Sequence, residues 1–153
     1  MSDQPNGPDQ FTADAFAQRL RRAAGAAGNA GLDGILVTPG PDLLYLTGYA
    51  PVAITERITL LVVPADGEPA LLVPKLERPD AEAAPGTSKL RIADWTDGRD
   101  PYQEAAALLS GAGRYAISDS AWAMHLLGLQ DHLPGSSYVP MTTALPMLRA
   151  IKD

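Results

Sequence analysis

The stretch "DGILVTPGPDLLYLTGY", residues 33–49, decides how the rest of the chain is read. Ile35, Leu36 and Val37 form a short apolar run of strand character, and "TPGPD" follows as a turn signal. Pro41 suits the first position of a helix with Gly40 before it, so residues 41–46 are expected to leave the carboxyl end of the strand as a short helix. The eight residues "DLLYLTGY" (42–49) then hold two tyrosines and three leucines. Thr47 can hydrogen-bond locally, and Gly48 permits a backbone conformation that is costly for other residues. So aromatic and apolar a loop after a strand asks for a structural reason.

Working back from this stretch, "MSDQPNGPDQF" (1–11) is polar with Pro and Gly and is expected to be a disordered tail. Thr12 is read as an N-cap with Asp14 in the first turn. Phe16, Leu20, Ala23, Ala24 and Ala27 recur at helical spacing, which predicts an amphipathic helix over 13–27. "GNAGLDG" ends it, glycine supplying the positive φ a helix terminus needs.

Working forward, "ITLLVVP" (58–64) and "ALLVP" (70–74) flank the turn "ADGEP" and predict a hairpin. Residues 75–82 read as helical, limited by Pro79, and 89–95 as a strand. Residues 100–110 read as a helix capped by Asp100 with Pro101 in first position. A strand over 114–118, a helix from about 120, a short strand in "SSYVPM" and a helix beginning at Pro146 complete the alternation. The pattern predicts an α/β fold: a mixed β-sheet with helices on both faces, occupying residues 12–145.

Composition narrows the function. The chain has 153 residues, 46% of them apolar and 20% charged, which fits one soluble globular domain. Cysteine is absent, which excludes disulfides, thiolate nucleophiles and cysteine metal sites and is compatible with a cytoplasmic setting. The net charge is −6 and the 12 Lys and Arg are scattered, so no basic face for nucleic acid is expected. No apolar run reaches membrane-spanning length, and the start lacks the basic and apolar regions of a secretory signal.

The candidate chemistries are thin. His125 and His132, the only histidines, lie seven apart, but Gly128 and Pro134 leave a continuous helix through both open, and no HExxH or carboxylate cluster lies nearby. Ser118 or Ser120 with Asp119 and a histidine could be written as a triad, yet no GxSxG elbow is present; both serines read as caps for the following helix. "GAAGNAG" follows a helix rather than a strand, the wrong order for a phosphate loop. "TPGPD" has the right order and could hold an anion, without a GxGxxG or a Walker lysine. Asp94 and Asp97 read as turn residues, and Trp95 and Trp122 as core or interface anchors.

The ordered motifs carry a resemblance. Asp33–Val37 followed by Tyr45, Leu46, Thr47, Gly48 and Tyr49 resembles the opening of the N-terminal domain of the creatinase/prolidase family, which includes aminopeptidase P and Xaa-Pro dipeptidase. "RITLLVVPADGEPALLVPKLE", beginning at Arg57, is similar to the family's strand–turn–strand. "LRAIKD" is similar to the segment opening the linker helix to the catalytic domain. Together they cover residues 13–153.

The resemblance implies a ribonuclease H-like sandwich without catalytic residues of its own, in which the YLTG segment packs beneath the sheet edge and turns the chain, with Tyr45, Leu46 and Tyr49 as core or subunit-interface residues. Residues 146–153 would then start the linker to a pita-bread catalytic domain on a longer polypeptide. There, two divalent metals (Mn, Co or Zn) held by two Asp, one His and two Glu would activate water for cleavage next to proline; no metal ligand is expected in this chain. It further implies a homodimer in which this domain narrows access to the partner's active site, with Tyr49, Arg57 and the loop "YAPVAITER" (49–57) at the entrance. Arg57 would approach a substrate carboxylate as a charge-assisted donor, or else stand as a surface arginine at a strand start. Two rival classes stand beside it: a free-standing α/β module binding a small ligand at "TPGPD" or at the Tyr45–Tyr49 surface, and a small hydrolase, which needs a convergent pocket that the sequence does not show.

Overall fold

Six strands share one sheet in a computed structural model that describes residues 8–51 and 56–148. They are β1 (Gly34–Val37), β2 (Leu60–Pro64), β3 (Ala70–Pro74), β4 (Arg91–Trp95), β5 (Arg114–Ile117) and β6 (Ser137–Pro140). Their order is β4-β3-β2-β1-β5-β6. β1 pairs antiparallel with β2 and parallel with β5; β2–β3 is antiparallel, while β3–β4 and β5–β6 are parallel. Only β2 runs against the others, so the sheet is mixed as its hairpin signal requires.

The helices are α1 (Pro8–Asn29), α2 (Pro41–Thr47), α3 (Arg78–Ala83), α4 (Pro101–Ala106), α5 (Ala123–His132) and α6 (Met141–Ala144). Strand side chains alternate between two cores. Ile35, Val37, Leu61, Val63, Leu71, Val73 and Ala116 pack with Leu20, Ala23 and Ala27 of α1, Leu43 and Leu46 of α2, Ala81 of α3 and Met141 of α6. Leu36, Leu60, Val62, Leu72, Trp95, Tyr115 and Ile117 pack on the opposite face with Ala105 of α4 and Leu129 of α5. Both faces are thus covered, and the central strands read as continuous apolar runs for that reason.

Several boundaries differ from the sequence reading. Helix α1 begins at Pro8, so residues 8–11 of the expected tail belong to it and Thr12 lies inside it rather than capping it; residues 1–7 lie outside the described part. It also runs through Gly25 and Gly28 to Asn29. The glycine penalty, about 1 kcal/mol each, is outweighed by packing of the helix on the sheet. The stop is at Gly31, φ 75°, where Gly31 N–H donates to Gly28 and Leu32 N–H to Ala27 in a Schellman arrangement.

Pro79 does not limit a helix but opens one, α3, after a 3-10 turn at Lys75–Glu77. Helix α4 ends at Ala106, with Asp100 capping as expected through Tyr102 N–H at 2.9 Å. Gly128 does not break α5, which continues through His132. Asp94 sits in β4, not in a turn, and pairs with Arg78 at 2.7 Å. The expected helix at Pro146 is a turn over 146–148, and its remainder, 149–153, lies outside the described residues, as do 52–55 of the "YAPVAITER" loop.

The junction after α2 answers why "YLTGY" has its composition. Leu43 and Leu46 point into the core. The Thr47 hydroxyl donates to the Leu43 carbonyl at 2.7 Å and accepts from Tyr49 N–H at 3.0 Å. Gly48 adopts φ 73° and donates to the Leu44 carbonyl, while the Thr47 carbonyl accepts from Gly86 N–H at 2.8 Å. A Cβ on Gly48 would lie 2.6 Å from Pro85.

Two substitutions test this junction by urea unfolding. Thr47→Val keeps the shape but leaves the buried Tyr49 N–H unpaired; it should lower stability by about 1–3 kcal/mol, and Thr47→Ser should recover most of the loss. Gly48→Ala combines left-handed strain with the Pro85 clash and should cost about 1–3 kcal/mol or more. Midpoints unchanged from the parent would show that the hydroxyl and the glycine are incidental.

Candidate functional site

Two adjoining clefts open where α2, the segment before β2 and the Lys75–Ala83 helical segment meet. The larger, of about 730 Å³, is lined by Tyr49, Glu56, Arg57, Glu77 and Asp80 among others. The smaller, of about 310 Å³, lies over the residues following β1 and includes Thr38, Pro39, Trp122 and His125. Pro51, Arg57 and Glu77 line both.

Tyr49 and Arg57, expected together at an entrance, do share the larger cleft. The Gly48 turn delivers Tyr49 there: its residue is only 4% exposed, and its hydroxyl donates to Glu77 Oε1 at 3.4 Å. Burial, then the negative charges of Glu77 and Asp80, push the phenol up to about 12. Arg57 is bound to Asp97 at 2.8 Å in a solvent-exposed pair. Its position just before β2 is the strand-start placement anticipated for a surface arginine, yet it also faces both clefts. Three carboxylates, Glu56, Glu77 and Asp80, line the larger cleft beside this one cation.

The remaining motif residues have structural work. Asp33 bridges to β5: its carboxylate accepts from Arg114 N–H at 2.8 Å, its own N–H donates to the Arg114 carbonyl, and its carbonyl accepts from Ala65 N–H. Leu46 and Thr47 are fully buried. Tyr45 packs against the core while its carbonyl accepts from the Arg19 guanidinium at 2.9 Å, and that guanidinium lies 4.4 Å from the Tyr45 ring centroid.

The paper triad is not assembled. Ser118 Oγ accepts from Thr38 N–H at 3.0 Å, tying the ends of β1 and β5 together rather than capping α5. Asp119 accepts from Thr142 N–H at the start of α6 at 3.0 Å. Trp122, not a serine, stands at the N-cap of α5. The two histidines do lie on one helix but serve different partners. His125 Nδ1 meets the Tyr102 hydroxyl at 2.8 Å, and His132 Nε2 meets Asp100 at 2.7 Å. Among the described residues no group of three or more His, Asp or Glu gathers to hold a metal, and no helix is long and apolar enough to cross a membrane.

Sequence reasoning missed Glu77, Asp80 and the Tyr102–His125 pair. Glu77 and Asp80 were visible only as polar residues of a helical segment. Tyr102 and His125 are 23 positions apart, and nothing local announces that α4 and α5 pack side by side. Trp95 is a core anchor as expected, donating to the Ile58 carbonyl at 3.0 Å, whereas Trp122 is 42% exposed and stacks on His125 with centroids 6.0 Å apart.

The Tyr49–Glu77 contact has a measurable consequence. A phenol raised from its ordinary 10 to about 12 stabilises the fold fully below pH 10, and that contribution is lost as pH rises from about 10 through about 12. Tyr49→Phe should remove this part of the alkaline instability. Glu77→Gln should lower the Tyr49 transition in an absorbance titration yet leave it above 10, because burial, the larger cause, remains. An unmoved titration would show that Glu77 does not act on the phenol.

Comparison with known proteins follows the fold. Residues 19–151 match the sequence profile of the Creatinase/Prolidase N-terminal domain. A probable dipeptidase PepE of Mycobacterium tuberculosis is 43% identical over 149 residues, which are 96% of this chain and 39% of that protein. The crystal structure of dipeptidase PepE from Mycobacterium ulcerans aligns at TM-score 0.82 and 41% identity, over 92% of this chain and 38% of the other. The creatinase/prolidase N-terminal domain of an X-Pro dipeptidase from Streptococcus pyogenes aligns at TM-score 0.72 and 22% identity, over 88% of this chain and 98% of the other, a likeness of fold. This chain therefore spans well under half the length of the curated relatives it matches.

Proposed function

We infer the function from one premise: the chain belongs to the creatinase/prolidase N-terminal domain family. On that premise it is the non-catalytic N-terminal domain of a cytoplasmic, metal-dependent Xaa-Pro peptidase that hydrolyses bonds next to proline. The observation that carries this reading is the coverage. Nearly the whole chain aligns with a protein named a probable dipeptidase, yet it accounts for only 39% of that protein. The two divalent metals of such an enzyme do not fit the described residues here. His125 and His132 are turned to Tyr102 and Asp100, and the carboxylates of the larger cleft have no histidine among them. On this reading the metal centre belongs to the catalytic domain, and no step of hydrolysis is assigned to this chain.

The domain's own task is assembly and access. In a homodimer of the parent enzyme, the cleft bearing Tyr49 and Arg57 would face the partner's substrate entrance. Arg57 is suited to a substrate carboxylate because it lines the cleft and its pair with Asp97 is exposed. Exchanging one exposed carboxylate for another costs little, since such pairs contribute about 0–1 kcal/mol. The Tyr49 phenol, kept protonated by its surroundings, is a neutral donor beside it.

Two measurements test the proposal. The chain alone, incubated with manganese and an Xaa-Pro dipeptide, should show no turnover above a buffer blank; turnover would place a catalytic centre within it. In the full-length parent, Arg57→Ala should raise KM about tenfold or more, the scale of a lost charged hydrogen bond, with metal content unchanged. An unaltered KM would leave Arg57 a surface residue.

A further inference from the structure

The smaller cleft holds an unused hydrogen-bonding group that the peptidase reading does not employ. His125 is 5% exposed, yet it lines this cleft. Its Nδ1 meets the Tyr102 hydroxyl at 2.8 Å. Its Nε2 has no partner among the described residues, and it is not one of the polar atoms sealed from solvent without one. The open side of a nearly buried imidazole therefore faces the cleft.

The tautomer follows from Tyr102. Burial pushes its phenol above the ordinary range and keeps it protonated. Its hydroxyl has no acceptor among the described residues other than His125 Nδ1. Donation from Tyr102 to Nδ1 satisfies that hydrogen and leaves the imidazole proton on Nε2, as a donor into the cleft. Burial also lowers the affinity of His125 for a second proton, so the neutral form is favoured.

The other walls complement an organic acid. Trp122 stacks on His125 with an interplanar angle of 18° and offers an indole face beside the donor. Pro39 and Pro41 add apolar surface, and Arg57 supplies positive charge at the same cleft. Glu77 also lines it, so each negative charge on a ligand meets repulsion that Arg57 must counter, and one carboxylate is tolerated better than two. Thr38, a further lining residue, has a buried hydroxyl without a partner among the described residues.

We propose that the cleft over the ends of β1 and β5 is a binding site for a small monocarboxylate. One carboxylate oxygen accepts from His125 Nε2–H, and the apolar body lies against Trp122 and the prolines. This site is intrinsic to the chain and shares Pro51, Arg57 and Glu77 with the larger cleft; it requires neither a partner subunit nor a metal.

The test uses the 153-residue chain with isobutyrate and its neutral isostere isobutyramide as probes. Nitrogen-15 NMR of the side chains resolves two histidines. The free chain should show His125 in the Nε2–H tautomer. Isobutyrate should shift the His125 Nε2–H signal saturably while leaving the exposed His132 unmoved, and isobutyramide should bind several-fold more weakly. Trp122→Ala, at an exposed position that should not disturb folding, should weaken isobutyrate about tenfold. His125→Phe should abolish the binding; should that variant not fold, the Trp122 variant and the two probes still decide. A Nδ1–H tautomer, no saturable shift, equal binding of the amide, or equal shifts at both histidines would each overturn the proposal.

Discussion

A single side-chain hydroxyl organises the turn that carries the chain into the clefts. Thr47 donates backward to Leu43 and accepts from Tyr49 N–H, while its carbonyl accepts from Gly86. These bonds close the short helix α2, reverse the chain through the left-handed Gly48, and dock the loop after α3 onto the same point. Polar groups in such a place are tolerated because each has a partner; unpaired, each would cost about 1–3 kcal/mol. The same loop is sealed by Thr87, whose hydroxyl donates to the Ala81 and Ala84 carbonyls. Helices α2 and α3 are seven and six residues long, too short to stand alone, and they hold their shape through these tertiary bonds and the core beneath.

The sheet provides the rigid counterpart. With β1 flanked by β2 and β5 and covered on both faces, the chain leaving Val37 has one exit, over the carboxyl end of the sheet. Ser118 fixes that exit by accepting from Thr38 N–H, so β1 and β5 end in register. Clefts at the carboxyl ends of strands are a recurrent place for ligands in α/β folds. Here both clefts are assembled from loop and helix-end residues carried by strands that cannot move independently. Under the proposed function, this scaffold presents Tyr49, Arg57 and their acidic neighbours to the cleft.

Charge placement separates scaffold from site. The Arg78–Asp94 ion pair, and the Asp33 carboxylate accepting from the Arg114 backbone N–H, fasten elements of the sheet and its covering helices. In contrast, the groups facing the clefts are less settled: an exposed Arg57–Asp97 pair, a long Tyr49–Glu77 hydrogen bond, and a histidine with one free side. Among these, His125 Nε2 is the group without a partner among the described residues.

The sequence alone determined the α/β class, the mixed sheet with helices on both faces, and the family. Apolar runs at 34–37, 60–64 and 70–74, the hairpin turn between the last two, and the order of "YLTG" and its neighbours are all local patterns, and local patterns survive in a linear reading. It also identified Gly48, Pro41 and Asp100 correctly, since caps and turns are governed by neighbours a few positions away. Only the tertiary structure decided that α1 runs through its glycines, that Ser118 binds Thr38 instead of capping α5, and that Asp94 belongs to a strand. The clefts were beyond the sequence for the same reason. Tyr49 meets Glu77 across 28 positions, Arg57 meets Asp97 across 40 and Tyr102 meets His125 across 23. Such meetings depend on how elements pack, and the packing free energy is a sum over the whole core that no short stretch encodes.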